Sequence, residues 1–190
     1  MYYNVFVKIF SPEVHMKNFQ LKKLILAAVF AAIICVVTLL LPIPLPGSGY
    51  ANLGDTLIAV ASVILGPLWG AVAAGLGSAL ADVFLGYTVY APATFIIKGA
   101  MAVVYYFIFR PFAATRARFP MSAVAAMGSE ALMIGGYFAF EAIIYSPAAA
   151  LPNIWGNLTQ GLVATVISTV VVSILSHNVN TKKLLAIKKS

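Results

Sequence analysis

The 190 residues are 62% hydrophobic and only 9% charged, with a mean hydropathy of +0.99, against about 45–50% apolar and about 25% charged residues in soluble domains. That balance excludes a soluble globular domain and indicates an all-α integral membrane protein, with room for about six helices of ~20 apolar residues each. The net charge of +7 does not mark a nucleic-acid binder, because the basic residues flank apolar runs, where they set membrane orientation. A single cysteine, Cys35, excludes an intrachain disulfide framework or a cysteine-based metal site.

Residues 1–21 hold Lys8, Glu13, His15 and Lys17 and are too polar to span a membrane. Met16 is a second plausible start, which would make residues 1–15 an upstream extension. Lys22 and Lys23 precede an uncharged run from Leu24 to Leu41, longer than the apolar part of a signal peptide and followed by no A-x-A-like cleavage site; it is the first expected span. Pro42, Pro44 and Pro46, then Gly47 and Gly49, stop the helix and predict an extended loop over about 42–54. Asn52 and Asp55 open the next apolar run, where short polar side chains cap free N–H groups. This second span is short and ends at Gly66 and Pro67. The third, about 68–85, carries small residues in two rows: Gly66, Gly70, Ala74 and Ser78, and Ala71, Gly75 and Ala79. Such rows let backbones approach closely in lipid. The first row continues to Asp82.

Gly86 to Ala91 breaks the pattern, and Pro92 sits where the first turn of a helix accepts it. The fourth span runs to Phe109 and leads into a loop with Arg110, Arg116 and Arg118. The fifth, about 121–145, contains Glu130 and Glu141. Pro147 and Pro152 bracket a small loop, the sixth span covers about 153–176, and the tail holds Lys182, Lys183, Lys188 and Lys189.

Lys98 is the one basic residue inside a span. The others lie before the first span, between the fourth and fifth, and after the sixth. The positive-inside rule therefore predicts six transmembrane helices with both termini cytoplasmic. The expected organisation is a cytoplasmic segment 1–21, one six-helix domain 22–178 in the cell membrane, and a basic cytoplasmic tail 179–190.

On this topology the polar residues gather in an outer layer. Asp55 opens the second span, Asp82 closes the third, Lys98 lies less than two turns into the fourth, and Glu141 is near the outer end of the fifth. Asn153, Asn157 and Gln160 share one face of the sixth span. Tyr87, Tyr90, Tyr137, Tyr145 and Trp155 occupy the same layer, whereas Glu130 stands apart, nearer mid-depth. Charges at membrane depth are expensive and point to function. Amides, a lysine and carboxylates beside aromatic rings are what a small polar heterocycle requires. Each group has a structural alternative. Asp55 fits a helix cap, Asp82 and Lys98 fit an ion pair between spans, the aromatic rings fit an interfacial belt, and the amides fit interhelical hydrogen bonds.

The sequence contains no G-x-x-x-x-G-K-[ST], G-x-S-x-G or H-E-x-x-H motif and no Cys/His cluster. No catalytic or metal-ligating residue is assigned, and an enzyme is not expected. The stretch from Gly49 to Lys98, with Y-A-N-L-G-D-T, L-G-P-L-W-G-A-V-A-A-G-L-G-S-A-L-A-D and Y-A-P-A-T-F-I-I-K-G, resembles the S components of energy-coupling factor (ECF) vitamin transporters. The branch it resembles contains riboflavin and hydroxymethylpyrimidine or pyridoxine carriers. The resemblance implies a substrate-capture subunit that binds a vitamin near the outer surface and associates with an EcfT-like membrane coupling subunit. Two cytoplasmic subunits would use the ATP, with no cofactor on this chain. It also implies docking through an A-x-x-x-A motif in the first span, matched by Ala27 and Ala31, with Ala28 and Ala32 as a second register.

The expected ligand residues are thus Asp82, Lys98 and Glu141 to orient or gate the substrate, Asn153, Asn157 and Gln160 to hydrogen-bond it, and Tyr87, Tyr90 and Trp155 to stack on it. The 42–54 loop is the expected lid. Hydroxymethylpyrimidine or pyridoxine is favoured over riboflavin. The alternatives are a stand-alone proton-coupled carrier using Asp82 and Glu141, and a ligand-free membrane assembly protein.

Overall fold

The computed structural model describes residues 19–40, 43–44, 50–51 and 53–178. The expectations for the N-terminal segment, Asn52, most of the proline-rich loop and the basic tail lie outside these residues. Six helices occur within the described residues: α1 Phe19–Leu40, α2 Gly54–Leu65, α3 Pro67–Phe84, α4 Ala91–Phe109, α5 Arg118–Ile144 and α6 Pro147–Asn178. A short antiparallel ladder accompanies them, β1 Ile43–Pro44 against β2 Tyr50–Ala51. Part of the stretch expected to be an extended loop is therefore a short paired ladder.

Five helices are long and apolar enough to cross a bilayer. The sixth, α2, has 12 residues and covers about 18 Å, well short of the ~30 Å hydrocarbon core. Gly66 ends it with φ +84°, a backbone angle that favours glycine, and Pro67 opens α3 at once. A Cβ on Gly70 would lie 2.8 Å from the Cα of Ser62, so the first small-residue row presses α3 onto α2. Ala59 and Val60 of α2 pack with Tyr105, Phe109, Ala125, Ala126 and Val172, at the end of the bundle where Arg118 Nη2 meets His177 Nδ1 at 2.7 Å. The helix thus fills the half of the bundle nearest that end, and its first turn starts at mid-depth.

The same steric logic joins the other helices. A Cβ on Gly77 would be 2.5 Å from the carbonyl oxygen of Ala31 in α1, one on Gly75 2.7 Å from that of Phe95 in α4, and one on Gly99 3.3 Å from that of Ala71. Around these contacts Ala27, Ala31, Ile34, Ile58, Ala61, Ala74, Ile97, Met101 and Met133 form a core drawn from five helices. Outside it, Leu24, Ile25, Val29, Ile33 and Val36 of α1 are exposed, as a lipid-facing surface requires.

Helix α1 begins at Phe19, ahead of the expected Leu24, and the starts of α5 and α6 differ from expectation as well. Helix α5 begins at Arg118 rather than near 121, because Pro120 falls in its first turn, where no N–H is needed. Helix α6 begins at Pro147 and continues through Pro152, so the two prolines bracket a first helical stretch rather than a loop. Pro152 removes one hydrogen bond from that stretch.

Candidate functional site

The centre of the site is Asp55. The N-cap position of α2 is Leu53, which makes no side-chain cap, and the Asp55 carboxylate points into the bundle instead. Its Oδ1 accepts Lys98 Nζ at 2.5 Å and its Oδ2 accepts Gln160 Nε2 at 2.5 Å. All three side chains are buried. Removing two charges from water is costly and is tolerated only where each is paired and further hydrogen-bonded; the Gln160 amide supplies that second bond. The start of a helix also favours a carboxylate in its first turn.

The helix lengths explain why this cluster differs from the expected one. A second span that opened at the outer surface would put Asp55 at the membrane boundary and leave Lys98 to Asp82. Because α2 starts at mid-depth, Asp55 lies level with Lys98, about two turns into α4, and with Gln160, more than three turns into α6. The ion pair of Lys98 is therefore with Asp55 and not with Asp82. Glu130, expected to stand apart, lies within electrostatic range of both Asp55 and Lys98. A Cβ on Gly161 would be 3.1 Å from its Cβ and 3.5 Å from its Oε2, so α6 makes room for this carboxyl. Glu130 Oε2 is buried with no hydrogen-bond partner among the described residues.

Aromatic groups connect this cluster to a second one. Lys98 Nζ lies 5.7 Å from the ring centroid of Tyr137, within cation–π range, and the Tyr137 hydroxyl is 3.0 Å from Thr94 Oγ1. Thr94 and Lys98 are one helical turn apart on α4, a spacing that marks Thr94 from sequence. Nearer the α3–α4 and α5–α6 turns, the Tyr90 hydroxyl donates to Glu141 Oε1 at 3.3 Å, and Asn153 hydrogen-bonds Glu141. The Tyr90 ring packs against Phe140 at 5.3 Å and edge-on to Tyr87 at 6.2 Å. Backbone geometry sets this corner. Gly86, with φ +86°, donates to the Val83 carbonyl, and Tyr87 N–H donates to the Asp82 carbonyl at 2.7 Å, the paired bonds of a Schellman ending. Asp82 is buried on the last turns of α3 and acts electrostatically on Tyr137.

The remaining expected ligand residues are placed differently. Asn153 and Gln160 are buried and Asn157 is half-buried, so the shared amide face is only partly turned inward. Trp155 is 75% exposed and cannot stack on anything inside the bundle, which corrects its expected role; it faces the surroundings, as does Tyr145. The two registers of the α1 motif also separate. Ala27 and Ala31 are buried in the core against α3, whereas Ala28 and Ala32 are exposed. A docking contact on α1 can therefore use Ala28 and Ala32, but not Ala27 and Ala31, whose surface is already covered. Among the described residues no group of three or more His, Cys, Asp or Glu is placed to hold a metal ion.

Comparison with known proteins agrees with this frame. A protein of Pyrococcus woesei, described as an uncharacterized protein in the gap 3′ region, is 33% identical over 135 residues, covering 70% of this chain and 88% of its own length. The thiamine precursor transporter HmpT of Lactococcus lactis subsp. cremoris (strain MG1363) is 27% identical over 157 residues, covering 82% of this chain and 88% of its own. The family model described as "ECF-type riboflavin transporter, S component" matches residues 18–177. Such proteins are transporter subunits of the membrane and not enzymes. With the match spanning all six described helices, the chain belongs to the ECF-type riboflavin transporter S-component family.

Proposed function

We propose that the chain is the substrate-capture subunit of an ATP-driven ECF importer and that it takes up a small heterocyclic vitamin or precursor. Hydroxymethylpyrimidine or pyridoxine ranks ahead of riboflavin. S components work in general with a membrane coupling subunit and ATPase modules, and the exposed Ala28 and Ala32 face of α1 is the docking surface on this reading. Both termini lie in the cytoplasm, and the ligand enters from the opposite side.

One observation carries the reading: a polar set drawn from five helices, buried but for the half-buried Tyr137, inside an apolar membrane bundle. Asp55, Lys98, Gln160, Thr94, Tyr137, Tyr90, Glu141 and Asn153 supply donors, acceptors and ring faces, with Asp82 completing the set from α3. Glu130 Oε2 and Glu141 Oε2 are buried acceptors with no hydrogen-bond partner among the described residues. The exocyclic amine of an aminopyrimidine or the hydroxyl groups of pyridoxine are donors of matching chemistry. In this assignment Lys98, Asp55 and Gln160 orient the ring, Glu141 and Asn153 hold its polar edge, and Tyr87, Tyr90 and Tyr137 cover its faces.

The test is small-molecule mass spectrometry on protein purified in detergent from rich medium, followed by thermal-shift titration with a vitamin panel. A stoichiometric pyrimidine or pyridine that also stabilises the protein is the expected result. No recovered heterocycle, and no stabilisation by any vitamin, would leave the polar set as interhelical hydrogen bonding and reject the proposal.

A further inference from the structure

At the opposite end of the bundle from Tyr90 and Glu141, the start of α5 and the end of α6 enclose an open groove of about 310 Å³, lined by Arg118, Phe119, Val170, Ser173, Ile174 and His177. Its volume is at the lower end of the roughly 300–1,000 Å³ typical of small-molecule sites. Its polar groups share one character. Arg118 Nη2 is 2.7 Å from His177 Nδ1. A guanidinium has no acceptor, so Nδ1 accepts this bond and the ring proton is on Nε2. Arg118 keeps further N–H donors. Ser173 is 9% exposed, and its Oγ is buried with no hydrogen-bond partner among the described residues. No carboxylate among the described residues forms an ion pair with Arg118. The groove therefore offers donors from a guanidinium, an imidazole and a hydroxyl, and no carboxylate among the described residues is paired with them.

Its walls have the opposite character. Phe119, Val170 and Ile174 are exposed and apolar, continuous with the lipid-facing surface of α5 and α6. A site with a cationic head and apolar flanks at the end of transmembrane helices matches an amphiphile whose head is an anion. The chain's own C-terminal residues do not meet that need, since Lys182, Lys183, Lys188 and Lys189 would add positive charge.

We propose that this groove binds the phosphate of an anionic phospholipid, with Arg118, His177 and Ser173 donating to the phosphate and Phe119, Val170 and Ile174 contacting the acyl chains. Basic pockets between transmembrane helices bind phospholipid heads in this manner, and arginine meets phosphate with two parallel bonds. The site is independent of the vitamin proposal: Ser173 lies about 20 Å along α6 from Gln160, the nearest member of that polar set on the same helix.

Native mass spectrometry of the full chain in detergent, titrated with phosphatidylglycerol, phosphatidylcholine and inorganic phosphate, tests it. Phosphatidylglycerol adducts are expected to outlast phosphatidylcholine adducts. Arg118→Gln should weaken phosphatidylglycerol binding roughly tenfold, the loss of one charge-assisted contact, and Arg118→Lys should weaken it less. Ser173→Ala provides a second variant that keeps the charge, with a smaller loss expected. Circular dichroism melts establish that the variants are folded. Equal retention of both lipids, or wild-type preference in Arg118→Gln, overturns the proposal. So does inorganic phosphate competing as well as the lipid, which would make the site one for the free anion. A lipid-free dimer dissociated by Arg118→Gln would assign the groove to a second copy of the chain and likewise overturn it.

Discussion

Replacing Asp55 by Ala tests whether the buried ion pair holds the bundle together. The substitution leaves Lys98, 3% exposed, without the carboxylate that lies 2.5 Å away, and also strands the Gln160 amide that donates to the other oxygen. Breaking a buried pair by removing one partner costs about 3–5 kcal/mol, and an amide left unsatisfied contributes about 1–3 kcal/mol of that. At roughly 2–4 °C per kcal/mol for a chain of this size, the melting temperature in detergent should fall by on the order of 10 °C. Lys98→Met should cost less, because Asp55 keeps the Gln160 bond and the methionine preserves packing. In the double variant Asp55→Ala/Lys98→Met no charge of the pair remains, so stability should recover above that of Asp55→Ala alone. The assay is a double-mutant cycle by thermal unfolding without ligand. Costs that simply add, with coupling below about 0.5 kcal/mol, would refute the claim that the two side chains act as one unit.

Gly77→Val should be strongly destabilising, by about 1–3 kcal/mol or more, because its Cβ would sit 2.5 Å from the Ala31 carbonyl. Gly135→Ala, where nothing lies within 4 Å, should be neutral or stabilising by up to about 1 kcal/mol; equal melting temperatures for the two variants would contradict the packing of α3 on α1. Once a ligand is identified, Gln160→Ala should weaken its affinity by roughly tenfold or more, while Trp155→Ala leaves it unchanged. Calorimetry showing the reverse order would move the site outside the bundle. Finally, Ala28→Leu with Ala32→Leu should abolish co-purification with a coupling subunit at unchanged ligand affinity, whereas Ala27→Leu should lower the melting temperature of the isolated chain by overpacking its core. Unimpaired co-purification would remove α1 as the docking helix.

Much of the architecture was legible because it depends on local composition. Apolar runs without charge are helices in lipid, since every backbone group must find a partner within its own segment. The prolines and glycines at 42–49, 66–67 and 86–92 punctuate those runs for reasons of backbone geometry alone. The close approach of helices was visible in the small-residue rows, and the S-component resemblance lay in the stretch from Gly49 to Lys98. What failed locally was Pro152, because a proline near a helix start can be passed over at the cost of one hydrogen bond, and sequence does not say which outcome neighbouring packing will favour.

The site depended on information that no segment carries alone. In the sequence Asp55 fits a helix cap, Glu130 stands apart and Asp82 fits a pair with Lys98, because loop topology puts the start of the second span at the outer surface. The second apolar run is short in the sequence as well, but only the packed structure sets its first turn level with Lys98 and Gln160. Rotation about helix axes was equally hidden, since Ala27 and Ala28, or Asn153 and Trp155, are neighbours in sequence yet face opposite surroundings. Hydrophobicity and backbone chemistry along the chain suffice for the family, the membrane environment and the number of apolar runs. Tertiary structure decided which charges meet and which faces remain exposed, because in an apolar solvent hydrophobicity does not distinguish the inside of a bundle from its lipid-facing side.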